Sequence, residues 1–130
     1  MTRKELEQIY YLRGDLRVLE QELERLRCQS LVQSPQPNIS HGSGTSDKVG
    51  DLVALRDELV QLIEFKREEL RQLRIEALLF IYSIPDSLTR QIIYYRCVKM
   101  LSWAHVARVV GGNNTPDGVR KIYTRFMDKL

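Results

Sequence analysis

LSWAHVARVVGGNNTPDGVRKIYTRFMDKL, residues 101–130, is the stretch on which the reading of the chain turns. Ser102 can cap a short helix from Trp103 to Val110, because its hydroxyl accepts a bond from an N–H of the first turn. Val106, Ala107 and Val110 lie inside that helix. Ala107 is small and midway along, where a crossing helix must approach closely. Gly111-Gly112-Asn113-Asn114 follows, a run of residues that accept positive φ. Thr115 then caps a last helix over 115–128, and Pro116 stands at its first position, where a missing N–H is harmless. Val119, Ile122, Tyr123, Phe126 and Leu130 recur at helical spacing and should be buried. A short helix, a glycine turn and a second helix together make a helix-turn-helix candidate.

The outer side of the last helix is cationic. With Val119 at the centre of the buried side and about 100° per residue, Asp117, Arg120, Lys121, Thr124 and Arg125 point outward or sideways. The amino end offers backbone N–H groups and a positive dipole end, both suited to phosphate. Side chains on this face can reach base edges in a major groove. The candidate DNA contacts are therefore Arg108, Arg120, Lys121, Arg125 and Lys129 for phosphate or base, with Thr115, Asp117 and Thr124 as polar readers. Asn113 and Asn114 can bond phosphate, and turn geometry explains them equally well. Trp103 reads as a core anchor rather than a base-stacking residue, because the helix it opens turns its other apolar residues inward.

Upstream, Asp86 is an N-cap candidate for a helix from Ser87 to about Lys99, with Leu88, Ile92, Tyr95 and Val98 as its stripe. Ser83-Ile84-Pro85-Asp86 stops whatever precedes it, since the residue before a proline is pushed out of the helical region. What precedes is long. Leu52, Leu55, Leu59, Leu62 with Ile63, Lys66, Leu70, Leu73, Ala77 and Phe80 with Ile81 make a near-heptad stripe, and the helix should run from Ser46 or Asp47 to Tyr82. Residues 30–45, with Pro35, Pro37, Gly42 and Gly44 and no charge, read as a mobile linker. Before it, Ile9, Leu12, Leu16, Leu19, Leu23 and Leu26 recur at steps of 3, 4, 3, 4 and 3. That is the seam of a coiled coil, over residues 2–29, and Thr2 with Glu5 can form a capping box. Each long helix has a narrow apolar seam and a charged back, so each must pair. The seam does not choose between an intrachain antiparallel hairpin and a dimer; the linker length favours the hairpin, and homodimerisation through the long helices stays open.

The 130 residues carry 20 Lys and Arg against 17 Asp and Glu. Residues 1–30 balance at six each, 31–45 have none, 46–82 carry six against eight, and 83–130 carry eight against three. The basic excess sits in the last third, which suits a polyanion partner. No apolar run approaches a membrane span, and the charged start is unlike a signal peptide. A cytoplasmic protein without membrane attachment is expected. Cys28 and Cys97 are far apart and read as separate thiols, and His41 and His105 are isolated, so neither a metal nor a disulfide scaffold is expected. No nucleophile–base pair or carboxylate dyad is visible. The reading is a non-enzyme without a cofactor.

Residues 101–111 with residues 119–130 resemble region 4 of the sigma-70 family, which shows a Leu-Ser/Thr start, an Ile/Val-Ala/Gly pair, a glycine turn and an Ile/Val-Arg helix with a basic end. Over nearly its whole length the chain also resembles a group of small regulators from phages and prophages of Gram-positive bacteria. The matching stretches are residues 42–49, Asp86-Ser87, Arg90-Gln91-Ile92, Leu101-Ser102-Trp103 and Gly111 to Thr115 with Val119-Arg120-Lys121. The resemblance implies a DNA-binding transcription regulator, near the late-gene and autolysin-regulating activators, with double-stranded DNA and host RNA polymerase as partners. The expected architecture is all-α: a helical hairpin over 1–82, then a three-helix, sigma-region-4-like helix-turn-helix module over 83–130. Two alternatives accompany it. One is an RNA polymerase-binding adaptor, whose module would expose part of its apolar face. The other is a small-terminase-like DNA-packaging subunit built on coiled-coil oligomerisation.

Overall fold

A computed structural model describes the backbone of residues 1–32 and 43–130 and the side chains of 1–29 and 50–130. The described residues are mostly helical, with no strand among them, as expected of an all-α chain. Helix α1 is Arg3–Val32, α2 Ser43–Tyr82, α3 Ser87–Ile93, α4 Trp103–Val110 and α5 Pro116–Asp128; α3 continues into a π-helical turn, Tyr94–Val98. No helix of the described residues is long and apolar enough to cross a membrane.

Both long helices outrun their expected ends. Ser30 to Val32 still belong to α1, and α2 already begins at Ser43, so Ser46 lies inside the helix and is not its cap. No proline falls in either extension, and Gly44 costs only about 1 kcal/mol against Ala, which cooperative extension of a long helix can absorb. The rest of the expected linker, 33–42, including Pro35 and Pro37, lies outside the described residues.

The chain divides into two compact units. One is Gly14–Glu68, and the other joins Met1–Arg13 to Glu69–Leu130. Each unit thus joins a piece of α1 to a piece of α2, so the two helices pair within one chain. The division does not follow the boundary expected at residue 82.

In the Gly14–Glu68 unit, Leu16, Leu23, Leu26 and Ile63 are buried. Arg67 Nη2 meets Glu20 Oε1 across the helix pair at 2.9 Å. The α1 seam follows expectation, with Leu19 half-buried. The α2 seam is displaced: Leu55 and Leu62 are exposed. The buried stripe passes through Leu59, Ile63, Lys66 and, in the other unit, Leu70, Leu73, Ala77 and Ile81. At about 100° per residue, Leu62 stands well to the side of Ile63, and only one of them can face α1.

In the larger unit, Leu6, Ile9 and Leu12 of α1 and Leu70, Ala77 and Ile81 of α2 are buried. The expected capping box is present: Thr2 N donates to Glu5 Oε2 at 2.6 Å and Glu5 N to Thr2 Oγ1 at 3.3 Å. After α2 the chain turns at Ser83, and Asp86 caps α3 by accepting from Thr89 N at 3.0 Å. Arg90 fastens this turn, donating twice to the Ile84 carbonyl at 3.1 and 2.7 Å.

The expected uniform helix from Ser87 to Lys99 is not uniform. Its last turn widens, with Lys99 N donating to Tyr94 O and Leu101 N to Tyr95 O. Met100 then takes φ 57° and turns the chain toward α4. An i→i+5 turn rotates the residues that follow it relative to an α-helix. Cys97, inside the turn, is buried beside the expected Ile92 and Val98, as is Ile93, which precedes the turn. Burial pushes the Cys97 thiol up to about 11.

The core of the C-terminal helices is Ile92, Val106, Ala107 and Val119, with Leu88, Tyr95, Leu101, Trp103, Val110, Ile122 and Tyr123 packed around it. Ile92→Ala should lower the unfolding free energy by about 2–5 kcal/mol, whereas Leu79→Ala, at a side chain 71% exposed, should change it by less than about 0.5 kcal/mol. Urea denaturation followed by circular dichroism measures both.

Candidate nucleic-acid interface

Helix α5 is seated from three sides within its unit. Val119 and Met127 are fully buried, and Ile122, Tyr123 and Phe126 are half-buried. Tyr123 packs edge-on against Trp103, with ring centroids 5.0 Å apart. Phe126 meets Phe80 of α2 at 6.2 Å, and Asp128 Oδ1 lies 3.6 Å from Arg3 Nη1 of α1. Leu130, expected in the core, is exposed, and Met127 takes the inner position instead. Helix α5 ends at Asp128, so the helical spacing that pointed Leu130 inward no longer applies.

Two devices hold α4 and α5 in register. Ser102 Oγ accepts from His105 N at 3.3 Å, and Thr115 Oγ1 accepts from Gly118 N at 3.0 Å. Between the helices, Gly111 adopts φ 71° and ψ −160°, a region that side-chain-bearing residues scarcely enter. Gly112 is also left-handed, with φ 65°, whereas neither Asn113 nor Asn114 has positive φ. The two asparagines are therefore not there for backbone freedom. Asn114 Nδ2 donates to the Gly111 carbonyl at 2.8 Å and ties the turn shut.

Trp103 packs against the core, as expected of an anchor. The Arg96 guanidinium lies over its ring, 4.2 Å from the centroid, and donates to the Leu101 carbonyl at 2.8 Å. Arg96 thereby pins the α3–α4 connection. No spacing in the sequence announces this role, because it depends on the π-helical turn.

The candidate contacts are spread from the end of α4, through the turn, to just past the end of α5. Arg108, Asn113, Thr115, Asp117, Arg120, Lys121, Thr124, Arg125 and Lys129 are exposed, and Asn114 is half-buried. They are not equally available. Asn114 gives one of its two amide donors to the turn. Thr124 Oγ1 donates to its own helix, at the Arg120 carbonyl, at 2.9 Å, so only its acceptor capacity remains. Arg108, Arg125 and Lys129 form no ion pair among the described residues.

Arg120 and Lys121 are paired with one carboxylate. Arg120 Nη2 is 2.8 Å from Asp117 Oδ1, and Lys121 Nζ is 3.1 Å from Oδ2. Arg120 first, then Lys121, holds the Asp117 carboxyl below the ordinary aspartate value, so the pairs are complete at neutral pH. The signal was present in the sequence as i,i+3 and i,i+4 spacing.

The amino end of α5 offers less to phosphate than the sequence implies. Pro116 has no N–H, Thr115 Oγ1 occupies that of Gly118, and the Thr115 carbonyl accepts that of Val119. The N–H of Asp117 remains, beside its own carboxylate.

No family model, no curated protein and no solved structure matches the chain.

The Thr115 cap and the Gly111 turn set where α5 begins. Thr115→Ala should cost about 1 kcal/mol of stability, and Gly111→Ala about 1–3 kcal/mol. Thermal unfolding by calorimetry tests both, and a neutral Gly111→Ala would contradict the turn described here.

Proposed function

We propose that this chain binds double-stranded DNA by laying α5 in the major groove, and that it acts as a phage-type transcription regulator, an activator. The observation that carries the reading is the division of α5 into two faces. Val119 and Met127 lock its inner side, while Arg120, Lys121, Arg125 and Lys129 stand exposed on the outside. A cationic helix preceded by a second short helix and a glycine turn is the arrangement that positions side chains against base edges while neighbouring cations take phosphates. Arg108, at the end of α4, adds a cation near the turn.

Activation adds a second contact, with RNA polymerase or with another copy of the chain, for which the long helices supply the surface. The polymerase-adaptor reading needs an open apolar side on the module, and the inner face of α5 is packed, which weighs against it. Nothing in the geometry favours a packaging subunit.

The reading is tested by binding purified protein to genomic fragments at two salt concentrations, with and without host polymerase. Recovery of discrete fragments supports it, and recovery of none at low salt overturns it. In fluorescence anisotropy titrations with a recovered fragment, Lys121→Ala and Arg125→Ala should each weaken binding. Each should also reduce the slope of log K against log salt by about 0.9, the loss of one phosphate contact. Unchanged affinity and slope in both variants would remove this face from the interface.

A further inference from the structure

We propose, on the reading that α5 binds DNA, that Asp117 is a specificity-determining residue that withholds Arg120 and Lys121 from phosphate until a base edge engages its carboxylate. The observation is a three-residue ion cluster on the open side of the recognition helix. One carboxylate oxygen takes Arg120 at 2.8 Å and the other takes Lys121 at 3.1 Å. The three side chains are 60%, 56% and 62% exposed, so the cluster contributes nothing to the core. It stands one residue after Pro116, in the first turn of α5.

Its consequence follows from how proteins bind DNA without regard to sequence. That affinity comes from cations that neutralise phosphates and release counterions. Here two of the module's cations already face an internal anion. A phosphate reaching this edge meets a carboxylate, and it must compete for Arg120 and Lys121. Arbitrary duplex is thereby penalised.

A cognate site removes the penalty. An aspartate oxygen accepts a hydrogen bond from the N4 amino group of cytosine in the major groove. Once the carboxylate is so engaged, Arg120 and Lys121 are free to swing to flanking phosphates. The same carboxylate that repels general duplex then contributes to the chosen one. The ligand class is duplex DNA presenting cytosine to the first turn of α5.

The test uses the full chain, as wild type, Asp117→Asn and Asp117→Ala, each verified by its circular dichroism melt. Anisotropy titrations with a fixed random-sequence duplex are run over a salt series, and a randomised duplex library is selected in parallel. Both variants should bind the random-sequence duplex about tenfold more tightly, with a log–log salt slope steeper by about 1–2, as one or two further phosphates are neutralised. Their selected pools should lose the cytosine preference that the wild-type pool shows at one position. Unchanged or weaker binding of the random-sequence duplex in both variants overturns the inference, because the pairs would then only position the cations. So does a wild-type pool with no cytosine preference. Wild-type protein that binds no duplex at low salt fails earlier, and overturns the DNA reading itself.

Discussion

The contact of Val119 with the buried cluster of Ile92, Val106 and Ala107 is the constraint on which the C-terminal helices depend. Val119 stands in the first half of α5, and its partners come from two preceding helices, Ile92 from α3 and Val106 with Ala107 from α4. Ala107 is buried in the middle of α4, and α5 approaches there because no larger side chain stands in the way. Once that crossing is fixed, the rotation of α5 about its axis is fixed as well. Tyr123, Phe126 and Met127 must turn toward Trp103, α2 and the interior, and Arg120, Lys121, Thr124 and Arg125 must turn out. The orientation of the cationic face is thus a packing result. Electrostatics could not hold it, because exposed charges at this separation interact weakly in water.

Capping was the most legible part of the fold. Asp86, Ser102 and Thr115 were each expected to open a helix, and each accepts from a first-turn N–H. The same holds for Thr2 with Glu5. Such motifs are local, since a polar side chain reaches three residues along its own backbone; the exception is Ser46, expected to open α2, which lies inside that helix. The α1 seam was legible for a related reason, since one leucine or isoleucine occupies each position. The α2 seam was not, because Leu62 and Ile63 are adjacent and equally apolar. Which of them faces inward is decided by the partner helix.

Other departures share that non-local origin. The π-helical turn at Tyr94–Val98 and the left-handed Met100 reflect how the α3–α4 connection closes on the core, and Arg96 finds Trp103 only as a consequence. Met127 displaces Leu130 because α5 ends before the helical spacing can carry Leu130 inward. Within the candidate interface, position was legible and availability was not. All ten candidate residues lie along α4, α5 and the turn between them, but Asn114 gives one of its donors and Thr124 its only one to the backbone. The pairing of Asp117 with Arg120 and Lys121 was written in the spacing and is easily passed over when each residue is read alone.

The uneven charge of the chain has a structural explanation in its acids. In the hairpin, acids and bases answer one another on the same helix, as Arg3 with Glu7 and Arg25 with Glu22, or across the pair, as Arg67 with Glu20. After residue 82 there are three acids, and each has a fixed task. Asp86 caps α3, Asp128 meets Arg3 of α1, and Asp117 holds two cations of α5. None is left to neutralise Arg108, Arg125 or Lys129. The basic excess is therefore concentrated where the few carboxylates are already engaged by a helix cap or by other cations. On the proposed DNA reading, a polyanion meeting this surface would find three cations without an ion pair and two held by Asp117, and that difference would separate attraction to any duplex from recognition of one.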